Sequence, residues 1–183
     1  MRFKKYAAAA VFIITAVVFT SCASAPSTEN IPAVRKIDFS VFEDKWYEIA
    51  RIPIGIAGDW VGTTDTYIKN DDGTWLVLYE GFKGGFDGKP KVLKQKLKLK
   101  DPEIQGEMSA RPFPFVWLPY RLVYWNEDDM TMIVTSGTMD YLWLMAKDPL
   151  PSEDVYRKLA EASAGMGFDI SRLERVPQKK RGE

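Results

Sequence analysis

The stretch DKWYEIAR at residues 44–51 has the composition of a β-strand, with aromatic and β-branched side chains set among polar ones. We predict a first strand from Trp46 to Pro53. Strict alternation would place Trp46, Glu48 and Ala50 on its inner face and Tyr47, Ile49 and Arg51 on its outer face. A carboxylate in an apolar interior needs a partner. The expected partners of Glu48 are Tyr67, Tyr79 and Lys147.

Seven further short strands are predicted, separated by turn sequences. They span residues 63–69, 75–82, 93–100, 103–110, 120–125, 130–135 and 141–146. The turn Asn-Asp-Asp-Gly at 70–73 predicts a hairpin. A helix is predicted from Ser152, as its cap, to about Ala164, and a short ninth strand near 173–176. Eight up-and-down antiparallel strands most simply close into a barrel that holds one small ligand, so the predicted fold class is all-β with the helix packed outside.

The N-terminus has the features of a signal sequence. Arg2, Lys4 and Lys5 precede an uncharged run from Tyr6 to Phe19, which is too short to span a bilayer, and small residues then lead to Cys22. The pattern resembles a bacterial lipobox. We therefore expect residues 1–21 to be removed and Cys22 to be acylated, which would anchor the protein to a membrane. An ordinary secreted protein with one leftover thiol is the alternative.

The rest of the chain is predicted to form one domain. Residues 22–40 are rich in Ala, Ser, Pro and Thr and are expected to form a lipidated, flexible tether. Residues 41–177 form the domain and residues 178–183 a polar tail. Ala23, after the cysteine, favours sorting to the outer membrane, with the domain facing the periplasm.

The composition excludes several classes of chemistry. The chain has no histidine and one cysteine, which removes Ser-His and Cys-His nucleophile pairs and histidine-ligated metals. We expect no catalytic residue, no metal and no cofactor. Basic and acidic residues number 25 each, and removal of the basic signal residues leaves a small acidic excess. A nucleic-acid partner is therefore not expected.

Two motifs resemble those of a known family. Residues 44–51 resemble the first lipocalin motif, Gly-x-Trp-Tyr-Glu-Ile-Ala-Arg, and residues 140–144, DYLWL, resemble the later Asp-Tyr motif of bacterial lipocalins. Together with the lipobox, the resemblance is to bacterial outer-membrane lipoprotein lipocalins, relatives of apolipoprotein D. It implies a barrel that binds a hydrophobic ligand, with Trp46 closing the barrel floor.

Two positions depart from this pattern. Asp44 stands where the family has Gly, and Lys147 stands where it often has an Arg that packs across the tryptophan of the floor. A lysine can still lie over the Trp46 ring, although without the planar stacking of a guanidinium group. We expect the fold to survive with a somewhat weaker floor.

Alternation and the resemblance together predict the walls of a cavity. The predicted ligand-binding residues are Glu48, Ala50, Tyr67, Val77, Tyr79, Leu97, Phe113, Trp117, Tyr120, Leu122, Tyr124 and Trp143. Trp75, Leu93 and Leu99 are expected on the same walls. Apolar walls with several phenol groups suit an amphipathic ligand with an acyl chain. A tight core filled by these aromatic side chains is the alternative.

The segment at residues 111–120, RPFPFVWLPY, is unusually apolar for a loop at the mouth of a barrel. It could gate the cavity, insert into a membrane surface or fold back onto the domain. The lysine row at 94, 96, 98 and 100 is predicted to be a solvated outer face, with contact to anionic lipid as the alternative.

These features predict a membrane-anchored protein that binds, stores or transports an acyl lipid such as a fatty acid or lysophospholipid, without enzymatic activity. A lipid-modifying enzyme that relies on Glu48 is one alternative. A structural or interaction lipoprotein with a filled barrel is the other. The oligomeric state is left open.

Overall fold

A computed structural model describes residues 25–55 and 57–180. The predicted signal peptide, the predicted acylation at Cys22 and the last three residues lie outside this part of the chain. Its strands are β1 (Asp44–Arg51), β2 (Trp60–Lys69), β3 (Trp75–Lys83), β4 (Pro90–Leu99), β5 (Glu107–Phe113), β6 (Val116–Asn126), β7 (Thr131–Ser136), β8 (Thr138–Ala146) and β9 (Glu174–Arg175). The helices are α1 (Phe39–Phe42) and α2 (Glu153–Gly165), with a 3₁₀ turn at Ile170–Arg172.

The eight long strands form a closed antiparallel barrel. Each pairs with its sequence neighbours, and β1 pairs with both β2 and β8, which closes the ring. The predicted fold class is therefore confirmed. The predicted hairpin at 70–73 is also confirmed: the Asn70 amide donates to the Thr74 carbonyl at 2.8 Å, and Gly73 supplies a φ of +76°.

Two bulges change which residues face inward. The β1–β8 register shifts between Glu48 and Ala50, so Ala50 pairs with Leu144 on the outer face and Arg51 pairs with Trp143 on the inner face. The prediction for Ala50 and Arg51 was therefore wrong, because one inserted residue exchanges the two faces. A shift between Leu122 and Tyr124 likewise turns Tyr124 out of the barrel.

Helix α2 covers the outer face of the barrel beside β7 and β8. Ser152 caps its start, as predicted, and Leu159 is buried against the side chains that Ile49, Leu142 and Leu144 turn outward. The interior of the barrel holds a separate apolar cluster around Trp46, Tyr67 and Leu97. The barrel wall thus has one core on each side.

The short helix α1 closes one end of the barrel. Phe42 is fully buried there, with its ring 4.3 Å from the Tyr67 ring, and its carbonyl accepts a hydrogen bond from the Trp46 indole at 2.8 Å. Lys147 places Nζ 4.7 Å from the Trp46 ring centroid and donates to the Glu43 carbonyl at 2.9 Å. Trp46 and Lys147 thus lie together at this end of the barrel, with the lysine over the indole ring.

The segment before α1 is not a free tether. Arg121 donates to the carbonyls of Thr28 and Ile31, and the Val34 amide donates to the Leu122 carbonyl at 2.9 Å. Thr28 and Ile31 are buried as a result. The tether prediction is wrong from about residue 27 onward, because these backbone groups dock on β6 and on the turn between β7 and β8, although the composition is that of a linker.

The far end of the chain is also docked. Gln178 donates from Nε2 to the carbonyls of Glu48 and Thr63, at 2.9 and 3.0 Å. The predicted polar tail is therefore attached to the barrel at its first residue.

The apolar segment at 111–120 is a β-hairpin rather than a loop. Phe113 of β5 pairs with Val116 of β6 across a two-residue turn. Phe115, at the tip, is 98 % exposed and has a φ of +67°. The hairpin extends into solvent, so the alternative in which this segment folds back onto the domain does not hold for its tip.

Candidate ligand-binding site

A cavity of about 470 Å³ lies at the end of the barrel opposite α1. Its mouth is formed by the loop before β2, the β5–β6 hairpin and the β7–β8 turn. Apolar and aromatic side chains dominate its lining, among them Trp60, Leu93, Leu118 and Trp143. Its volume falls within the range usual for sites that bury a small ligand.

Four of the predicted ligand-binding residues line this cavity, namely Tyr79, Phe113, Tyr120 and Trp143, and Leu93 joins them. Four others, Tyr67, Val77, Leu97 and Leu122, are packed into the cluster between the cavity and the floor, as is Trp75. They support the cavity from below and do not line it. Leu99 packs against the same cluster.

The remaining predicted residues lie elsewhere. Ala50 and Tyr124 belong to the core beneath α2, because the bulges in β1 and β6 turn them to the outer face of the barrel. Trp117 stands outside the barrel between two cations, with Lys98 Nζ 4.2 Å and the Arg111 guanidinium 5.1 Å from its ring. Glu48 points inward as predicted, but it is fully buried behind Tyr79 and does not line the cavity.

Glu48 and Arg51 form a buried ion pair in the barrel wall. Arg51 Nη1 lies 3.2 Å from Glu48 Oε1, and the Tyr79 hydroxyl donates to Glu48 Oε2 at 3.0 Å. Burial raises the pKa of Glu48, while the charge of Arg51 and hydrogen bonds from Thr63 and Tyr79 oppose that rise. Of the three expected partners, Tyr79 is therefore the one that bonds Glu48, and Arg51 supplies the charge.

Arg51 also holds the loop at the mouth. Its Nη2 donates to the carbonyls of Gly58 and Trp60, at 3.0 and 2.7 Å. Trp60 in turn stacks on Tyr79, with ring centroids 5.5 Å apart and an interplanar angle of 14°. The buried ion pair thus fixes one aromatic wall of the cavity.

Asp65 is the important residue that the sequence interpretation missed. It lines the cavity from β2, and the Tyr67 hydroxyl donates to its Oδ2 at 3.3 Å. Its Oδ1 is buried and has no hydrogen-bond partner among the described residues. Burial, followed by the nearby charge of Glu48, raises the pKa of Asp65 to about 8. The sequence could have revealed its inward position, because Asp65 lies two residues before the inward Tyr67 on the same strand and so shares its face.

Other lining residues were also missed. Gln95 shares the inner face of β4 with Leu93 and Leu97, and Ala110 and Val134 contribute from β5 and β7. Below them the hydroxyls of Tyr67 and Tyr120 share a short hydrogen bond. The cavity therefore has a mostly apolar mouth, with the hydroxyl residues Ser136 and Thr138 on one side, and an inner end that holds a carboxyl and an amide group. This arrangement suits binding of an amphiphile.

The comparisons with known proteins agree with this architecture. The sequence profile of the lipocalin-like domain matches residues 37–178. The chain is a member of the lipocalin family. Among its relatives, temperature-induced lipocalin-1 of Arabidopsis thaliana is 27% identical over 156 residues, which cover 82% of this chain and 84% of the relative. Outer membrane lipoprotein Blc of Escherichia coli K12 is 24% identical over 184 residues, 94% of each chain.

Solved lipocalin-type structures show the same fold. Insecticyanin from the tobacco hornworm Manduca sexta superposes on this lipocalin with a TM-score of 0.67 at 14% identity, covering 85% of this chain and 88% of the other. Lobster apocrustacyanin A1 gives a TM-score of 0.63 at 13% identity, covering 77% and 79%. Family membership and the cavity are consistent with the binding of a small hydrophobic ligand by this lipocalin.

Proposed function

We propose that this lipocalin binds a single-chain acyl amphiphile, such as a fatty acid or lysophospholipid, and stores or carries it in the cell envelope. The observation that carries the proposal is the cavity of about 470 Å³ with its apolar walls. Burial of about 300 Å² of acyl chain would contribute roughly 7 kcal/mol before ordering costs, which suits an affinity near micromolar. An interaction protein with a filled barrel would have no such space.

The path of the N-terminal segment supports a membrane anchor close to the cavity mouth. Ser27 bridges to Thr138, and the Thr28 amide donates to the Gly137 carbonyl at 3.0 Å. Gly137 and Thr138 lie at the mouth. Cys22 precedes Ser27 by five residues, a reach of at most about 17 Å. An acyl group on Cys22 would therefore hold the mouth near the bilayer.

We place the protein on the outer membrane, facing the periplasm. The lipobox supports this placement, as does the Escherichia coli relative, which is named an outer membrane lipoprotein. Within the residues that the structure describes, no helix is long and apolar enough to cross a membrane. The proposed attachment is acylated Cys22, on the basis of the lipobox.

The β5–β6 hairpin supports contact between the mouth and the bilayer surface. Phe115 and Val116 expose apolar surface at its tip, and Lys98 and Arg111 stand beside it. An aromatic residue at a positive φ carries strain that glycine would avoid, and such strain is often retained for function. Basic residues behind an apolar tip match an anionic membrane surface.

Ligand titration of the protein beginning at Ala23 tests the binding proposal, because every contact described above lies within residues 25–180 and is kept in that chain. Trp60 and Trp143 line the cavity, so quenching of tryptophan fluorescence reports occupancy. Ala110→Phe fills part of the cavity and should weaken lysophospholipid binding at least tenfold, whereas Ala164→Phe on the exposed face of α2 should not. Equal binding by both variants, or no binding by the wild type, would refute the proposal.

A further inference from the structure

The carboxyl and amide side chains of the cavity lie at its inner end, whereas the polar residues at its mouth are the hydroxyl residues Ser136 and Thr138. Asp65 is paired with Trp46 of the floor across the β1–β2 ladder, and Gln95 and Tyr120 lie at a similar depth. Toward the mouth the lining is formed by residues such as Pro112, Phe113 and Leu118. An amphiphile that matches these walls enters with its polar head first and leaves its chain at the mouth.

In the described part of the chain, the inner end of the cavity offers no positive charge. Among the described lining residues none is a lysine or arginine, and Asp65 is the one that carries a carboxyl group. The nearby arginine, Arg51, is already engaged by Glu48, Thr63 and two backbone carbonyls. An anionic head would therefore meet no free cation in this part of the protein, and it would lie close to the charge of Glu48.

Asp65 retains unused hydrogen-bonding capacity. Its Oδ2 has one long hydrogen bond from Tyr67, and its Oδ1 has none among the described residues. The terminal torsion of an aspartate is broad, so the carboxyl group can turn an oxygen toward a ligand at little cost. A buried carboxylate oxygen without a donor is unfavourable, and a ligand that supplies one removes that penalty.

We propose that Asp65 binds the head of the ligand, and that this head is a primary ammonium group on a single-chain amphiphile. The inference rests on the proposed carrier function and narrows its ligands, because it favours a single-chain amphiphile with an ammonium head over the fatty acid that the carrier proposal also allows. The ammonium supplies both the positive charge and the N–H donors that Asp65 lacks. The acyl or alkyl chain then runs along Leu93 and Trp143 to the mouth.

Ionisable groups on several strands surround this carboxyl group and set its response to pH. They are Glu48 and Arg51 on β1, Tyr67 on β2, Tyr79 on β3 and Tyr120 on β6. The pKa of Asp65 is raised to about 8 in the empty protein, so an ammonium ligand that binds below pH 8 displaces its proton. Affinity for an amine should therefore rise with pH, by up to about tenfold per unit. An alkylammonium remains charged throughout this range, since a lysine side chain titrates near pH ~10.4.

The test compares three probes with the same chain length: dodecylamine, dodecanol and dodecanoate. Each is titrated calorimetrically into the protein beginning at Ala23 at pH 6, 7 and 8. We expect dodecylamine to bind most tightly at pH 8 and to gain affinity from pH 6, while dodecanol is insensitive to pH. Dodecanoate should bind more weakly as pH rises, because Asp65 becomes charged.

Asp65→Asn removes the charge with almost no change in shape. It should weaken dodecylamine binding by about tenfold to a hundredfold, the loss expected for one charged hydrogen bond, and leave dodecanol binding within about twofold of the wild-type value. Glu80→Gln is the matched control, because Glu80 lies on the outer face of β3 and does not line the cavity. It should alter neither affinity.

The outcomes separate this inference from the carrier function. If dodecanol binds but dodecylamine binds no better, or if Asp65→Asn weakens both equally, the headgroup assignment is overturned and the carrier function stands. If none of the three probes binds, both are overturned.

A further pair of probes identifies the source of the ammonium. Lysophosphatidylethanolamine carries a primary ammonium, and lysophosphatidylcholine has the same chain but no N–H donor. Preference for the first supports a phospholipid source, and equal binding of the two alongside tight dodecylamine binding supports a simple amine.

Discussion

Arg51 Nη1 lies 3.2 Å from Glu48 Oε1, and both side chains are buried in the wall of the barrel. The pair exists because the bulge after Glu48 turns Arg51 inward, onto the same side as the carboxylate. The same guanidinium group holds the carbonyls of Gly58 and Trp60. One irregular residue in β1 therefore couples the interior of the barrel to the loop at its mouth.

Removal of Arg51 should strongly destabilise the protein. Arg51→Met leaves Glu48 buried without its positive partner, and the loss expected for such a broken pair is about 3–5 kcal/mol. The free energy of unfolding in urea measures it. The double variant Glu48→Gln with Arg51→Met should be more stable than Arg51→Met alone, because no charge is then left unpaired. Equal stability of the single and double variants would contradict the coupling.

Asp44 adopts a backbone conformation that favours glycine. Its φ is +83° at the start of β1. Asp44→Gly should therefore raise the free energy of unfolding by about 1 kcal/mol, since a non-glycine residue in this region carries strain. Asp87→Gly is a suitable control: Asp87 is an exposed loop residue with no positive φ, and its replacement should lower stability slightly by loosening the unfolded chain. A loss of stability in both variants would argue against strain at Asp44.

Much of the fold follows from local sequence signals. Three such signals, each only a few residues long, predicted elements that the structure contains. They are the turn at 70–73 for the β2–β3 hairpin, the alternation of lysine and leucine for β4, and the cap Ser152 for α2. The register of β1 could not be read in the same way. A bulge depends on how the strand meets β8 and β9, and nothing in the local pattern distinguishes Ala50 from Arg51 as the inward residue.

The cavity was predicted less well than the barrel, for a similar reason. Alternation identifies the inner face of a strand, but it does not say how far along the barrel the core ends and the cavity begins. Val77 and Leu122 face inward as expected. They belong to the same packed cluster as Phe42 of α1 and Trp46 of the floor, so the described residues leave no space for a ligand beside them. The docked segment around Thr28 was missed because it is held by Arg121, a contact between residues far apart in the sequence.

The tip of the β5–β6 hairpin should bind membranes. Phe115→Gly removes an exposed aromatic side chain and relieves its positive φ, so we expect weaker binding to phosphatidylglycerol vesicles without loss of stability. Loss of one inserted phenylalanine corresponds to about tenfold or more in partitioning. Co-sedimentation of the protein beginning at Ala23 measures it. Leu150→Gly, an exposed apolar residue outside the hairpin, should bind as the wild type does, and a similar loss in both variants would contradict a specific role for the tip.

The raised pKa of Asp65 should make the protein less stable as pH rises. The folded protein holds the Asp65 proton up to about pH 8, whereas the unfolded chain loses it near the ordinary value of 3.8. Between these values the folded state binds more protons, so the free energy of unfolding should fall with increasing pH, by up to about 1.4 kcal/mol per unit. Above pH 8 the contribution of Asp65 should be constant. Urea unfolding at pH 5, 6, 7, 8 and 9 measures the slope.

Asp65→Asn separates this contribution from that of Glu48, whose pKa is raised in the same direction. From pH 5 to pH 8 the wild type should lose stability through Asp65, whereas the variant has no proton to lose at this position. The unfolding free energy of the variant minus that of the wild type should therefore rise over this range and stay constant above pH 8. A difference that stays constant over the whole range would mean that Asp65 is already charged at pH 5. The inner end of the cavity would then hold a carboxylate at every pH studied, and amine binding there would no longer depend on pH through this residue.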